Sequence, residues 1–367
     1  MSAMLDRFVR LCEIPSPTGS ERAVADAVAT ELDGHGIDVL EDDSGARIGA
    51  TAGNLLARVP GEGDGYVMFA AHLDTVPHQG PIEVVDDGGV FRSVGETILG
   101  ADNKAAVAVL VELLIGAVET TTAVGIELLL TVSEEDGLRG AGAFDVSQLH
   151  SEFGFVLDHA SPIGEVAVAS PTYKRLVAEF SGIEAHAGIR PEAGRSAIEA
   201  ASAAIAAMEL GRLDEETTAN IGSIDGGSAT NVVAGRCQVE AEARGIEQGR
   251  AEATVMAMVD ACTWAAGEHG CDVDVEISEV FRGYRLRSSS TPLGVAKAAL
   301  QASGVPPVEL ISGGGSDANA LRAGGFDAIL LANGTEANHT THECVAAKEL
   351  ERMLVVCDAI VAEAARC

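Results

Sequence analysis

Aromatic residues are scarce in this chain: they make up 4% of its 367 residues, while 47% are hydrophobic. A sizeable core must therefore be built from Ala, Val, Leu and Ile. Basic residues are also few, with 24 Lys and Arg against 56 Asp and Glu and a formal net charge of −32. That balance excludes the basic face by which proteins hold nucleic acid, and it disfavours anionic membranes. The seven cysteines are scattered, odd in number and without a C-x-x-C pair, so neither a disulfide framework nor a cysteine zinc site is indicated. Reduced thiols fit a cytoplasmic setting. No stretch approaches the roughly 20 apolar residues that span a bilayer. The run around Val107–Val118 is broken by Glu112 and reads as a buried helix. The opening MSAMLDRFVRLCEIPSPTGSE lacks the apolar segment of a signal peptide. No G-x-S-x-G elbow occurs, which argues against a serine hydrolase.

The acids are spread along the chain, and lysine is scarcer than arginine. A protein adapted to high salt is expected, because screening relieves self-repulsion. A GC-rich genome gives the same arginine bias.

No repeat, low-complexity tract or long linker is visible, and the length suits two domains. Residues 2–12 and 21–35 read as helices, the second with Ser20 as a cap. Val67–Ala71 reads as a buried strand ending at His72, Ala105–Val118 as a helix, and Gly125–Val132 and Phe153–Leu157 as strands. This alternation predicts an α/β sheet flanked by helices. The pattern changes near residue 170. Strands at Leu176–Phe180, Thr217–Ile224, Gln238–Arg244 and Cys271–Val280 and helices at Ser196–Leu210 and from Gln248 to Gly267 form a four-stranded α+β unit. After Ser288 the α/β style returns, with a strand at Ile329–Leu331. The expectation is a catalytic α/β domain with a mixed sheet, 1–169 and 287–367, interrupted by an inserted α+β domain, 170–286.

Acids and histidines fall at the ends of the apolar segments. In AAHLDTVP, His72 and Asp74 stand two apart at a strand end. Asp74 can orient the His72 ring or bind a metal beside it. Asp102, in LGADNKAA, suits either a helix N-cap or a ligand. Glu134 and Glu135 leave a buried strand together and repel each other unless a cation is near; one can bind metal while the other acts as a base. Asp158 ends another strand, and His339 and His342 lie in NHTTHE. In open α/β sheets the functional crevice lies at the carboxyl ends of the strands. Imidazole and carboxylate donors without thiolates suit zinc, cobalt or manganese. Two ions roughly 3.5–4 Å apart can share a carboxylate and stabilise both nucleophile and oxyanion.

The ordered motifs IPSPTGSE, AAHLDTVP, LGADNKAA, SEEDGLRGA, FVLDHASPIG, EAHAGIRPEAGRSAI, GSATNVV, EAR, GGGSDAN and HTTHE span essentially the whole chain. In them the chain resembles the di-zinc exopeptidase family of peptidase T, carboxypeptidase G and aminoacylase, most of all its peptidase T-like members. The resemblance implies two divalent ions, one held by His72, Asp102 and Asp158 and the other by Asp102, Glu135 and His339. Asp74 would orient His72, and Glu134 would be the general base. His342 is the alternative to His339 as that ligand; with His339 in place, His342 would stand behind a ligand or face the substrate. The inserted segment resembles the family's lid and dimerisation domain, which implies a homodimer. There His186 would reach a neighbouring active site, while Asn231, Arg244, Gly314 and Ser316 would hold the anionic parts of a substrate.

Two features depart from the family pattern: Ala105-Ala106 where a glycine is common, and Gly245 after Arg244 where serine is common. Both bear on substrate detail and touch no implied ligand. The implied activity is hydrolysis of a short peptide by an aminotripeptidase. Dipeptidase, carboxypeptidase and N-acyl amino acid deacylase activities stand as alternatives. A non-catalytic, metal-stabilised binding protein is the rival of another class, and it has no use for Glu134.

Overall fold

A computed structural model describes residues 2–367, which divide into two compact units. The first comprises residues 2–168, 286–312 and 316–367; the second comprises 169–285 and 313–315.

The first unit is built on a mixed sheet. Four strands at its centre run parallel, in the order Gly125–Thr131, Tyr66–His72, Phe153–His159, Asp327–Ala332. Antiparallel strands flank them, with Leu55–Val59 and then Val39–Glu41 on one side and Glu165–Ser170 on the other. The parallel strands are covered on both faces, so they read in sequence as near-continuous apolar runs such as GIELLLT and DAILLA. The helix Ala101–Thr120 is buried around most of its circumference and packs on the sheet with Ala3–Glu13 and Ala347–Ala364. Its many Ala and Val side chains let it sit close to the strands, which explains a large core with so few aromatic rings.

Register places His72 opposite Thr131, so two parallel strands end level with each other. Asp158 lies near the end of Phe153–His159. A smaller antiparallel sheet, in the order Thr335–Glu336, Cys344–Ala346, Val90–Ser93, Val84–Asp86, holds the loop that carries His339.

The second unit is an antiparallel sheet in the order Gly211–Asp214, Thr217–Gly226, Arg236–Gly245, Thr172–Ser181, Asp272–Phe281. The helices Ala197–Ala207 and Gln248–Glu268 pack against it and against each other. Arg236–Gly245 alternates buried and more exposed residues, as a strand with one covered face does. Its core is separate from that of the first unit and centres on Leu176, Phe180, Val239, Val255, Met258 and a stripe of alanines.

Two expectations are corrected. The sheet has five strands where four were expected, because Gly211–Asp214 turns back on Thr217–Gly226 as a short hairpin that carries little apolar pattern. Ser20 does not cap the second helix; Glu21 occupies the cap position, and its carboxylate accepts from the N–H groups of Gly19 and Ser133 instead. Among the described residues, no helix is long and apolar enough to cross a membrane.

Candidate metal centre

The ends of the parallel strands deliver imidazoles and carboxylates to one place. His72 Nε2 lies 3.2 Å from Asp102 Oδ1 and 3.3 Å from Asp158 Oδ1. His339 Nε2 lies 3.1 Å from Asp102 Oδ2 and 2.8 Å from Glu135 Oε1. Asp102 therefore faces one imidazole with each carboxylate oxygen. Ligand atoms of His72, Glu134 and Asp158, and of His72, Asp102 and Glu135, lie within 4.8 Å of one another in two overlapping groups.

Asp102 is not a helix cap. Gly100 holds that position in a left-handed conformation, and non-helical dihedrals at Asp102 and Asn103 turn the carboxylate towards the imidazoles. Glu343 fixes this turn, accepting the N–H groups of Leu99 (2.8 Å), Gly100 (2.9 Å) and Asp102 (2.9 Å). Asn103 Nδ2 donates to Asp158 Oδ1 at 3.2 Å.

Asp74 does more than face His72. The ring's Nδ1 lies 3.0 Å from the Asp74 carbonyl and 3.4 Å from its carboxylate. The same carboxylate accepts the N–H groups of Glu134 (3.0 Å) and Glu135 (3.2 Å) and the Thr18 hydroxyl (2.8 Å). One buried side chain thus ties the His72 loop to the Glu134–Glu135 loop. Ser133, at φ +53°, starts that loop in a conformation unusual for serine, and its N–H and hydroxyl both donate to Glu21 Oε1.

The charges are strongly perturbed. Burial would lower the His72 pKa, but Asp158, Asp102 and Asp74 outweigh it and hold the ring well above its ordinary value. His339 is raised to about 10, first by Asp102 and then by Glu135. Burial pushes Asp158 up to about 8 against the pull of His72. Glu134 is driven well above the usual carboxylate range by burial and by the neighbouring Asp158. Burial opposes ionisation of Asp102 too, yet the two imidazoles keep its pKa low.

Four carboxylates gathered around two imidazoles, with no thiol among them, is the donor chemistry of a site for hard or borderline divalent ions. Two such ions would replace the protons these groups otherwise share, so the residues present fit a two-metal centre.

The structure leaves His342 outside the cluster: the hydrogen bond recorded for it is from its backbone N–H to Thr340. Ser316 is fully buried, and its hydroxyl caps the helix Asp317–Ala323 by accepting from the Ala318 N–H. In the second unit, Arg244 makes a fork with Glu242, both contacts at 3.0 Å, over the ring of Tyr173 at 4.5 Å, and donates to the Gly313 carbonyl. His186 and Asn231 are exposed there. The Gly314 carbonyl accepts the Ser170 hydroxyl.

Sequence reasoning missed Glu343, Thr18 and Asp317. Glu343 stood in view at the end of HTTHE and Asp317 in GGGSDAN, but their roles depend on which backbone donors meet them. Asp317 is buried, accepts from the Thr131 hydroxyl and is raised to about 6 by burial.

Comparison with known proteins agrees with this geometry. Residues 54–162 match the family described as Peptidase family M28, and residues 169–270 match the Peptidase dimerisation domain. The chain is 38% identical over 365 residues to the protein YqjE of Bacillus subtilis, covering 99% of this chain and 98% of that one. Among solved structures it is similar to the aminopeptidase PepT of Bacillus cereus, with 38% identity, TM-score 0.89 and coverage of 99% and 98%. It is also similar to a tripeptidase of Staphylococcus aureus, with 33% identity, TM-score 0.93 and the same coverage.

Proposed function

The chain belongs to the two-metal exopeptidase family that includes peptidase T, and from that premise we propose that it is an aminotripeptidase, releasing the amino-terminal residue of a tripeptide. That it is a metal-dependent exopeptidase follows from the family; the tripeptide is our reading. The observation that carries it is Glu134, a buried carboxylate in the cluster of His72, Asp102, Glu135, Asp158 and His339, in a chain similar over its whole length to an aminopeptidase and a tripeptidase.

In this reading His72, Asp102 and Asp158 would hold one ion and Asp102, Glu135 and His339 the other, with zinc the first choice and cobalt or manganese able to substitute. When bound, the ions supply an acidified water and a polarised carbonyl. Glu134 accepts a proton from the attacking water as its oxygen adds to the scissile carbonyl carbon. The carbon–nitrogen bond then breaks, and Glu134 returns that proton to the departing amine. A carboxylate beside two cations would keep a low pKa, but the water would be made acidic as well, so the transfer need not be uphill. Asp74 keeps His72 and the Glu134 backbone in place throughout.

The match to a dimerisation domain supports a homodimer, with His186 of each inserted unit serving its partner. Seven cysteines, none of them in a disulfide, support a cytoplasmic setting.

The test is a panel of tripeptides, dipeptides and N-acetyl amino acids with metal-loaded protein beside Glu134→Gln. Tripeptide turnover should dominate, and the variant should lose about 10²–10⁴-fold in kcat with its metal retained. Preferential cleavage of N-acetyl amino acids, or full activity in the variant, would refute the proposal.

A further inference from the structure

The motif IPSPTGSE ends at Glu21, a glutamate with no exposed surface at the start of the helix Arg22–Gly34. Its carboxylate makes no capping bond to that helix. One oxygen, Oε1, instead accepts the Gly19 N–H at 2.7 Å and both the N–H and the hydroxyl of Ser133, at 3.1 and 3.0 Å. Ser133 lies 112 residues further along the chain and directly precedes Glu134.

The same motif is fastened to the turn that follows His72. The Ser16 carbonyl accepts the Thr75 N–H at 2.9 Å, and the Thr18 N–H donates to the Thr75 carbonyl at 3.0 Å. The Thr18 hydroxyl donates to Asp74 Oδ2 at 2.8 Å. Residues 16–21 thus form a strap from the His72–Thr75 turn to the start of the Glu134–Glu135 loop, and Glu21 is its far end.

Ser133 is the point at which that loop is aimed. It is buried and adopts φ +53°, a left-handed conformation that a serine keeps only when its surroundings hold it there. Its dihedrals direct the next peptide, and with it the Glu134 side chain. The carbonyls of Ser133 and Glu134 accept the N–H groups of Arg139 at 3.0 Å and Leu138 at 2.7 Å, which closes the far side of the loop. The donors of Ser133 itself go to Glu21. Without that acceptor a buried N–H and a buried hydroxyl lose their partner, and rotation at Ser133 relieves them.

We propose that Glu21 is a positioning residue for the general base: it holds Ser133 in the left-handed turn that keeps the Glu134 carboxylate beside His72 and Asp158. Glu21 acts through the backbone of Ser133, and the assignment rests on the reading of Glu134 as the base. Of the proposed metal ligands, His72, Asp102, Asp158 and His339 leave from other segments, so both ions should stay when Glu21 is replaced.

The experiment measures zinc content, kcat and KM for a tripeptide in saturating zinc, for Glu21→Leu and Glu21→Gln, each in wild type and in Glu134→Gln. Glu21→Leu, which lacks the acceptor, should lose roughly 10–100-fold in kcat with KM and zinc content unchanged. Glu21→Gln, whose amide oxygen can take the place of Oε1, should stay close to wild type. In Glu134→Gln the Leu replacement should cost nothing further, because the group it misplaces is already gone. An equal loss in both backgrounds, loss of zinc, or a folded Glu21→Leu with wild-type kcat overturns the proposal. If Glu21→Leu fails to fold, by circular dichroism, Ser133→Ala decides in the same two backgrounds. A smaller loss of kcat seen only with Glu134 present supports the proposal, and an unchanged kcat overturns it. Full activity in Glu134→Gln alone overturns the general-base reading and this proposal together, whereas a dead Glu134→Gln beside a fully active Glu21→Leu overturns only the positioning role.

Discussion

Glu343 shows how much of this site depends on side chains that touch no ion in the proposed ligand set. Its two oxygens accept three backbone N–H groups of the turn that presents Asp102. Burial raises its pKa, yet these bonds favour the ionised form. Truncation leaves buried donors unpaired, at about 1–3 kcal/mol for each group left unsatisfied. Glu343→Ala should therefore lower both stability and metal affinity, the latter by roughly 10–100-fold. Equilibrium denaturation together with a competitive zinc titration checks both, and a variant that loses stability but keeps its metal affinity would contradict the role. His339 is notable at the same scale, since it sits at φ +65° in the left-handed region while its ring meets Asp102 and Glu135. Such a conformation in a non-glycine residue is held by its surroundings.

At the scale of elements, the short helix Arg139–Ala143 backs the end of the strand Gly125–Thr131, from which the Glu134–Glu135 loop leaves. Asn54 joins them, donating to the Gly140 carbonyl at 2.9 Å and accepting the Val132 N–H at 3.1 Å. A Cβ on Gly140 would lie 2.0 Å from the Val132 carbonyl oxygen, whereas one on Gly142 would meet nothing within 4 Å. Gly140→Ala should cost about 1–3 kcal/mol and reduce turnover, because the strand end must shift. Gly142→Ala, in the same helix, should be neutral or stabilising by up to about 1 kcal/mol. Urea denaturation of the pair, with kcat for each, separates close packing from helix propensity. Equal effects would show that the contact with Val132 does not matter.

For the whole molecule, two conditions should govern stability. Metal removal comes first: ions that bind only the folded chain stabilise it by about 2.7 kcal/mol at a hundred times the dissociation constant. A chelator should lower Tm and abolish activity, and zinc should restore both. The metal-free imidazole of His339, held up to about 10, carries a proton at neutral pH and must release it to bind metal. Affinity should therefore rise with pH, and zinc addition should acidify a weakly buffered solution; no proton release would argue against His339 as a ligand. Salt is the second condition. With a net charge of −32, self-repulsion opposes the folded state, and molar potassium chloride should raise Tm. Equal Tm with and without salt would remove the case for salt adaptation.

The sequence by itself determined the parallel strands and the placing of His72, Asp158 and the Glu134–Glu135 pair at their ends, because strands covered on both faces leave uninterrupted apolar runs that stop where the polar site begins. It also determined the family, through motifs spread along the chain. Without the resemblance, the residue pattern suited Asp102 to a cap as well as to a ligand, and nothing in the sequence gave Asp74 its second task of holding the Glu134 loop. It left Glu343 unread and missed the short strand Gly211–Asp214. Those outcomes depend on hydrogen bonds between segments far apart in the chain, such as the 241 residues separating Glu343 from Asp102. Local pattern records which face of an element is buried. Only the folded chain decides which buried donor meets which carboxylate.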